Sequence, residues 1–263
     1  MPPDARRILI TGAGSGIGRA LAMEAARSGA CLALAGRRLG PLQETGGGLQ
    51  GATDVIAIAM DVTDPAQRRA LSEQLSERWG ALDVLVNNAG IVDGGPSDEV
   101  PDDAMQRIFA ANVLGPMALV RDLAPLLFRS DAAQVVNVGS MFGDVAYPGF
   151  AAYSASKFAL RGFSDALRRE WRSRGVQVSY VAPRATRTPA AAAFASLIAA
   201  TGMALDDPEI VARRLWRAIA RRQERLYPAG PERLYVLVQA LWPRLIDRAI
   251  AAPKLVRAGL SAR

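Results

Sequence analysis

Tyr153 and Lys157 stand one helical turn apart in the run Tyr153-Ser154-Ala155-Ser156-Lys157. On a helix, residues four apart lie one above the other. A free phenol has a pKa of about 10 and is a poor proton catalyst at neutral pH. A cation one turn away favours the phenolate and lowers that value. Proton transfer is most effective when the pKa lies near the working pH. Lys157 is also the only lysine before Lys254 in a chain with 32 basic side chains. The chain has no histidine. That excludes a Ser-His-Asp triad, a Cys-His nucleophile pair, histidine-ligated zinc and imidazole acid–base catalysis. The single cysteine, Cys31, allows no intramolecular disulfide and no cysteine cluster, and implies a reducing compartment. No metal site is expected, and proton chemistry falls to Tyr, Lys, Asp, Glu or water.

A second chemical feature is Thr11-Gly12-Ala13-Gly14-Ser15-Gly16-Ile17-Gly18. Glycines let the backbone turn tightly and approach a pyrophosphate. A helix that follows presents unpaired N–H groups and a positive dipole end. The spacing is G-x-x-x-G-x-G, not G-x-G-x-x-G. Its place directly after a first strand makes Gly12, Ser15, Gly16, Ile17 and Gly18 candidate cofactor contacts. The end of the second strand separates two cofactors, because an acidic residue there would bind the ribose 2′-hydroxyl of NAD. Gly36 occupies that place, followed by Arg37 and Arg38. Two guanidiniums can pair bidentately with a 2′-phosphate. The expectation is NADP(H) in preference to NAD(H). Asp61 and Val62, at the end of the third strand, are placed for the adenine amino group and ring.

Elements that could position these groups are legible as short apolar runs alternating with helical patterns. Strands are expected at Arg6–Thr11, Cys31–Ala35, Val55–Met60, Leu82–Val86, Gln134–Val138 and Val176–Val181, with a short edge strand at Arg225–Tyr227. Helices are expected at Gly16–Ser28, Pro65–Trp79, Asp102–Phe128, Ala151–Arg174 and Pro208–Gln223. Gly46–Gly51 reads as a flexible surface turn. The strands are apolar throughout, as expected when both faces are covered. This alternation predicts an α/β fold: a single Rossmann-type doubly wound parallel sheet of about seven strands flanked by helices, with a helical C-terminal extension. With 263 residues, one domain suffices. Its core covers 5–190, a substrate lid and helix cover 190–230, and an apolar and basic helical extension covers 231–263.

Taken together, these motifs resemble the classical short-chain dehydrogenase/reductase family over about residues 5–190. The glycine loop is Thr11–Gly18, an N-N-A-G signature is Asn87-Asn88-Ala89-Gly90, and a helix asparagine matches Asn112. A serine after the fifth strand matches Ser140, and Y-x-x-x-K matches Tyr153 and Lys157. The resemblance implies a catalytic tetrad of Asn112, Ser140, Tyr153 and Lys157. Tyr153 would donate a proton to a carbonyl oxygen or remove it from an alcohol. Lys157 would lower the phenol pKa and bind the nicotinamide ribose. Ser140 would hydrogen-bond the substrate oxygen, and Asn112 would support a water chain resupplying protons past Lys157. Asn88, Ala89 and Gly90 would line the cofactor cleft. Pro183 and Thr188 match the segment near the nicotinamide carboxamide, but Arg184 stands where the family has glycine. Arg184 or Arg187 is therefore a candidate contact for an anionic group.

Met141, Phe142, Tyr147 and Phe150, with parts of Pro189–Met203, are candidate substrate walls. Their apolar character suggests a hydrophobic ketone or aldehyde, with Ala190–Ala204 as a lid. Charge is uneven: residues 1–200 hold 20 basic and 19 acidic side chains, and residues 201–263 hold 12 and 6. Pro231–Ala252 is apolar nearly all round between Leu234 and Trp242, and breaks near Pro243. It could pack on the domain, form a subunit interface in a homodimer or homotetramer, or lie on a membrane surface with Leu234, Tyr235, Leu237, Leu241 and Trp242 inserted and Arg244 and Arg248 at headgroups. No targeting segment and no apolar run of membrane-spanning length is seen, so a cytoplasmic protein is expected, with membrane association as the alternative. The other readings are an NADPH-binding regulator without chemistry, a membrane-peripheral ketone reductase and a nucleic-acid binder. No motif supports the last.

Overall fold

The computed structural model describes residues 5–201, 203–228, 230 and 232–250. Seven strands are described: β1 (Arg7–Thr11), β2 (Cys31–Gly36), β3 (Asp54–Ala59), β4 (Val84–Asn87), β5 (Gln134–Val138), β6 (Gln177–Val181) and β7 (Arg225–Leu226). They form one parallel sheet in the order β3-β2-β1-β4-β5-β6-β7. Strand order reverses between β1 and β4, and in such sheets ligands bind in the crevice beyond the strand ends at that point.

The apolar runs become strands because both sheet faces are covered. On one face, Leu71 and Leu75 of α3 (Pro65–Trp79) pack with Leu9, Leu85 and Val135. On the other, Leu21 and Ala25 of α1 (Gly16–Ala26) meet Ile8, Ile10 and Val86. Leu215 and Ile219 of α8 (Pro208–Ala220) join that second layer. The two edge strands are less covered: β3 is half-buried along most of its length, and β7 has one exposed and one half-buried residue.

Three segments differ from the sequence expectation. Residues 39–47 form a helix, α2 (Leu39–Gly47), so Gly46 and Gly47 belong to its last turn rather than to a flexible loop. It is anchored by buried Leu42 and Thr45. The expected helix Asp102–Phe128 is broken into α4 (Asp102–Phe109), a π turn (Ala110–Leu114) and α5 (Gly115–Leu127). Pro116 has no N–H to offer the carbonyl of Asn112, and the widened turn accommodates that loss. Pro189–Phe194 is a 3-10 stretch leading into α7 (Ala195–Thr201). The apolar C-terminal run becomes α9 (Glu232–Leu241) and α10 (Pro243–Ile250). Pro231, Ala251 and Ala252 of that run lie outside the described residues.

Tyr153 and Lys157 lie in α6 (Ala151–Glu170). A buried polar chain fixes this helix to the sheet. Asn87 Nδ2 of β4 donates to Asn137 Oδ1 of β5 at 2.9 Å, and Asn137 Nδ2 donates to Ser164 Oγ of α6 at 2.9 Å. Ser164 Oγ donates onward to Leu160 O at 2.7 Å. Fully paired, such a chain specifies one placement of helix on sheet.

Candidate active site

A single cavity of about 1170 Å³ runs along the C-terminal edge of the sheet. It exceeds the ~300–1,000 Å³ of ordinary small-molecule sites, so a second ligand can lie beyond a first. At one end lie Gly12, Ser15, Gly16 and Ile17, between β1 and α1. Gly12 has φ +67°, a conformation strained for side-chain-bearing residues. Ser15 caps α1 without using its hydroxyl on the helix.

Gly18 does not line the cavity. A methyl there would lie 2.3 Å from Gly12 O and 2.6 Å from Asn88 Nδ2, so this glycine lets α1 press against the loop. Asn88 holds the loop from the other side, its Nδ2 donating to Thr11 O at 2.9 Å and Gly12 O at 3.3 Å. Thr45 Oγ1 reaches Ala13 O at 3.1 Å from α2. That support was invisible in the sequence, because α2 itself was not foreseen.

Arg37 and Arg38 are exposed on the cavity rim and have no ion-pair partner among the described residues. Asp61 Oδ1 accepts from the Thr63 backbone N–H and hydroxyl at 2.9 and 2.8 Å. Buried Arg68 donates to Val62 O at 2.8 Å, which pins this wall. Asp61, Val62, Asn88, Ala89 and Gly90 all face the cavity. So do Pro183 and Thr188; the Thr188 methyl would lie 2.8 Å from any Cβ at Gly16, closing the loop over that glycine.

At the far end Ser140, Tyr153 and Lys157 converge. Burial pushes the Tyr153 phenol up to about 12, while hydrogen bonding with the Ser140 hydroxyl pulls it down. Burial pulls the Lys157 ammonium down to about 8. The expected lowering of the phenol by Lys157 is therefore corrected. Lys157 Nζ lies 5.7 Å from the Tyr153 ring centroid and donates to Val138 O at 3.2 Å. At that separation, desolvation of two buried groups outweighs their mutual attraction. Ser140 Oγ accepts from Phe142 N at 3.2 Å, and the buried Tyr180 hydroxyl donates to Ser140 O at 3.3 Å.

Asn112 sits behind this group rather than on the cavity wall. Its Oδ1 accepts from Ile91 N at 2.8 Å, and its Nδ2 donates to Ile91 O at 2.8 Å and Ser156 Oγ at 3.1 Å. Ser156 Oγ donates to Tyr153 O at 2.6 Å. Both Nδ2 hydrogens are thus committed to protein, and only one Oδ1 lone pair remains for the water chain that the resemblance implied. Asn112 ties the loop after β4 to the backbone of Tyr153. Ser156 is its intermediary and was not singled out in the sequence, although it lies inside the Tyr153–Lys157 turn.

Beyond Tyr153 the cavity is aromatic. Phe142 stacks on Tyr147 at 5.4 Å between centroids and meets Phe194 edge-on at 5.6 Å. Met141, Phe142, Tyr147 and Phe194 face the cavity, and Phe194 places the Ala-rich segment over it. Phe150, expected as a wall, is 1% exposed and stacks behind Phe194 at 4.9 Å. It supports the wall without touching the space.

Arg184 lines the cavity, yet its charge is already paired through its two terminal nitrogens. It donates to Asp206 at 2.6 Å and to Glu232 at 2.8 Å, and these carboxylates hold its pKa well above the usual value. Arg187 pairs with Asp207. Neither arginine offers the free charge that the anionic-contact expectation required. Instead Arg184 joins the loop after β6 to the lid base and to α9.

A parallel sheet with a glycine loop at its switch point, and a buried phenol and amine further along one cavity, defines a dinucleotide-binding oxidoreductase domain. The sequence model of the short chain dehydrogenase family matches residues 6–197, and the chain belongs to that family. The chain is 35% identical over 191 residues to an NADP-dependent 3-hydroxy acid dehydrogenase of Schizosaccharomyces pombe, covering 70% of this chain and 73% of that one. It is 34% identical over 192 residues to a 3beta-hydroxysteroid dehydrogenase of Mediterraneibacter gnavus, covering 71% and 68%. A short chain dehydrogenase/reductase from Burkholderia phymatum in complex with NAD superposes with a TM-score of 0.83 at 29% identity, covering 92% and 95%. The chain spans 56% of the length of one curated relative, a dehydrogenase/reductase SDR family member 7B of Mus musculus, and 85% of another, a 1-deoxy-11-beta-hydroxypentalenate dehydrogenase of Streptomyces exfoliatus.

Proposed function

We propose that the protein is an NADPH-dependent oxidoreductase that interconverts a carbonyl and a secondary alcohol on a hydrophobic substrate. One observation carries this reading: a continuous cavity joins the free Arg37 and Arg38 at one end to Tyr153, Ser140 and an aromatic chamber at the other. Ser15, Gly16 and Ile17 would hold the pyrophosphate at the N-terminus of α1. Arg37 and Arg38 would pair with the 2′-phosphate, and Asp61 and Val62 would meet adenine. Ala89, Gly90, Pro183, Thr188 and Lys157 would seat the nicotinamide half. NADPH, when bound, supplies a hydride to the carbonyl carbon.

The protein supplies position and the proton. Ser140 hydrogen-bonds the substrate oxygen, where negative charge develops. Tyr153 transfers its phenolic proton to that oxygen. A phenol at about 12 is protonated at neutral pH, the form that carbonyl reduction needs. Phe142, Tyr147 and Phe194 exclude water and fit an apolar, lipid-like or aromatic carbonyl compound. Exposed Leu114 and Met117 on and beside α5 support a homodimer or homotetramer. A cytoplasmic location agrees with the buried, unpaired Cys31.

The test follows NADPH and NADH oxidation against a panel of apolar ketones and aldehydes. NADPH should be preferred at least tenfold, and the double variant R37A/R38A should lose that preference with NADH kinetics unchanged. Tyr153→Phe should lower kcat by about 10²- to 10⁴-fold with NADPH binding intact. A preference for NADH, or full activity in Tyr153→Phe, would overturn the reading.

A further inference from the structure

The helix pair α9–α10 is the one part of the described C-terminal region that turns an apolar face outward. Leu234, Leu237 and Leu241 recur at i, i+3 and i+7 along α9 and are 58%, 53% and 56% exposed. Trp242 and Leu245 continue the face at 59% and 53%, and Tyr235 borders it at 51%. The described residues of α9 include no buried one, and α10 buries only Ile246. An exposed patch of this kind marks a contact surface. We propose that this face docks on an anionic lipid bilayer and seats the mouth of the cavity on the membrane.

Charge selects the occupant. Arg233, Arg244 and Arg248 are exposed around the apolar face, and Asp247 is the only exposed acid on the pair. Glu232 is engaged by Arg184. From residue 233 to the end, the sequence holds six basic side chains and one acidic one. A two-fold contact with a second copy would bring like-charged arginines together, whereas an anionic headgroup layer complements them. Tyr and Trp at the edge of an apolar face are suited to the headgroup boundary. Glu232 and Tyr235, on the same helix, line the cavity. The docking face and the substrate entrance are thus one element. An apolar carbonyl compound dissolved in the bilayer would enter without crossing water. This entry route rests on the proposed activity; the docking itself does not.

The test is flotation of the full chain with phosphatidylcholine vesicles containing one-quarter phosphatidylserine, compared with pure phosphatidylcholine vesicles. Binding is expected on the anionic vesicles at low salt, and weak binding on neutral vesicles or at high salt. The variant L234S/L237S/L241S should lose binding while keeping its thermal midpoint and sedimentation coefficient. Because that variant could misfold, R244Q/R248Q gives a second measure. Each lost charge should weaken binding about fivefold, hence about 25-fold together. No vesicle binding by the wild-type chain overturns the proposal. So does a fall from dimer to monomer in L234S/L237S/L241S, which would assign the face to a second copy. Neither result touches the NADPH oxidation assay, so failure of docking and failure of the proposed activity are read separately.

Discussion

Arg184→Ala tests what holds α9 over the cavity. Arg184 is 28% exposed in its side chain, and its partners Asp206 and Glu232 are 12% and 18% exposed. The base of the lid has other ties, since Arg187 N donates to Asp206 O at 2.8 Å and Asp206 N to Ala185 O at 3.0 Å. Among the described residues, none of α9 belongs to the apolar clusters of the core. The Glu232 tie therefore carries a large share of its docking. A hydrogen bond to a charged group contributes about 1.5–3 kcal/mol, and partial exposure reduces this to about 1–2 kcal/mol. At 1.4 kcal/mol per decade, amides of 232–241 should exchange hydrogen about 5- to 30-fold faster in the variant. Peptides from β1 and β4 should exchange as before, because the core clusters are untouched. The assay is native-state hydrogen exchange read by mass spectrometry. Unchanged exchange in 232–241, or an equal rise across β1, would refute this account of how α9 is held.

Lys157→Met should stabilise the fold while removing activity. An unfolded lysine titrates near 10.4, and burial brings Lys157 down to about 8. Below pH 8 the folded chain carries the buried charge in full, so its cost is greatest there and fades as pH rises from about 8 to 10.5. At pH 7 the variant should gain about 3 kcal/mol, less about 1 kcal/mol for the lost bond to Val138 O. The gain should shrink at pH 9.5, and a lower thermal midpoint than wild type at pH 7 would sink the argument. Tyr153 works in the opposite sense, its folded pKa lying above the unfolded one, and stability falls as pH rises from 10 to about 12. Gly18→Ala should destabilise by about 3 kcal/mol or more, since its methyl would meet backbone at 2.3 Å. Gly40→Ala, with nothing within 4 Å, is the control and should be neutral or slightly stabilising in thermal melts.

What the sequence revealed followed from local rules. The strands are apolar runs buried on both faces, and β1 with its glycine loop is a contiguous signal. Where a side chain's role depends on remote partners, local pattern failed. Arg184 finds its carboxylates 22 and 48 residues away, and no window over 183–188 reports them. Phe142 and Phe150 are both apolar and eight residues apart, yet one faces the cavity and the other lies behind it. That choice is made by the packing of Phe194. The π turn at Asn112 hides inside an uninterrupted helical pattern, because Pro116 is compatible with a helix start as well as with a widened turn. Helix α2 escaped notice because only Leu42 and Thr45 face inward, too few for a periodic signal beside Pro41 and three consecutive glycines.

The absence of histidine takes on a specific meaning at this site. In water, tyrosine and lysine lose protons at similar pH, and neither is a better acid than the other by much. Burial separates them in opposite directions, the phenol to about 12 and the ammonium to about 8. The ammonium is then clearly the stronger acid. Once Tyr153 has given up its proton in the proposed reduction, transfer from Lys157 toward the phenolate runs downhill. At about 8, Lys157 can regain a proton from solvent near neutral pH. In the proposed reduction the pair would divide the work one imidazole does elsewhere: a donor poised in protonated form, and a reservoir that titrates close to physiological pH. The division depends on both groups staying dry and in place. The Asn87–Asn137–Ser164 chain fixes α6 on the sheet, and the Asn112–Ser156 link fixes the turn that carries both groups.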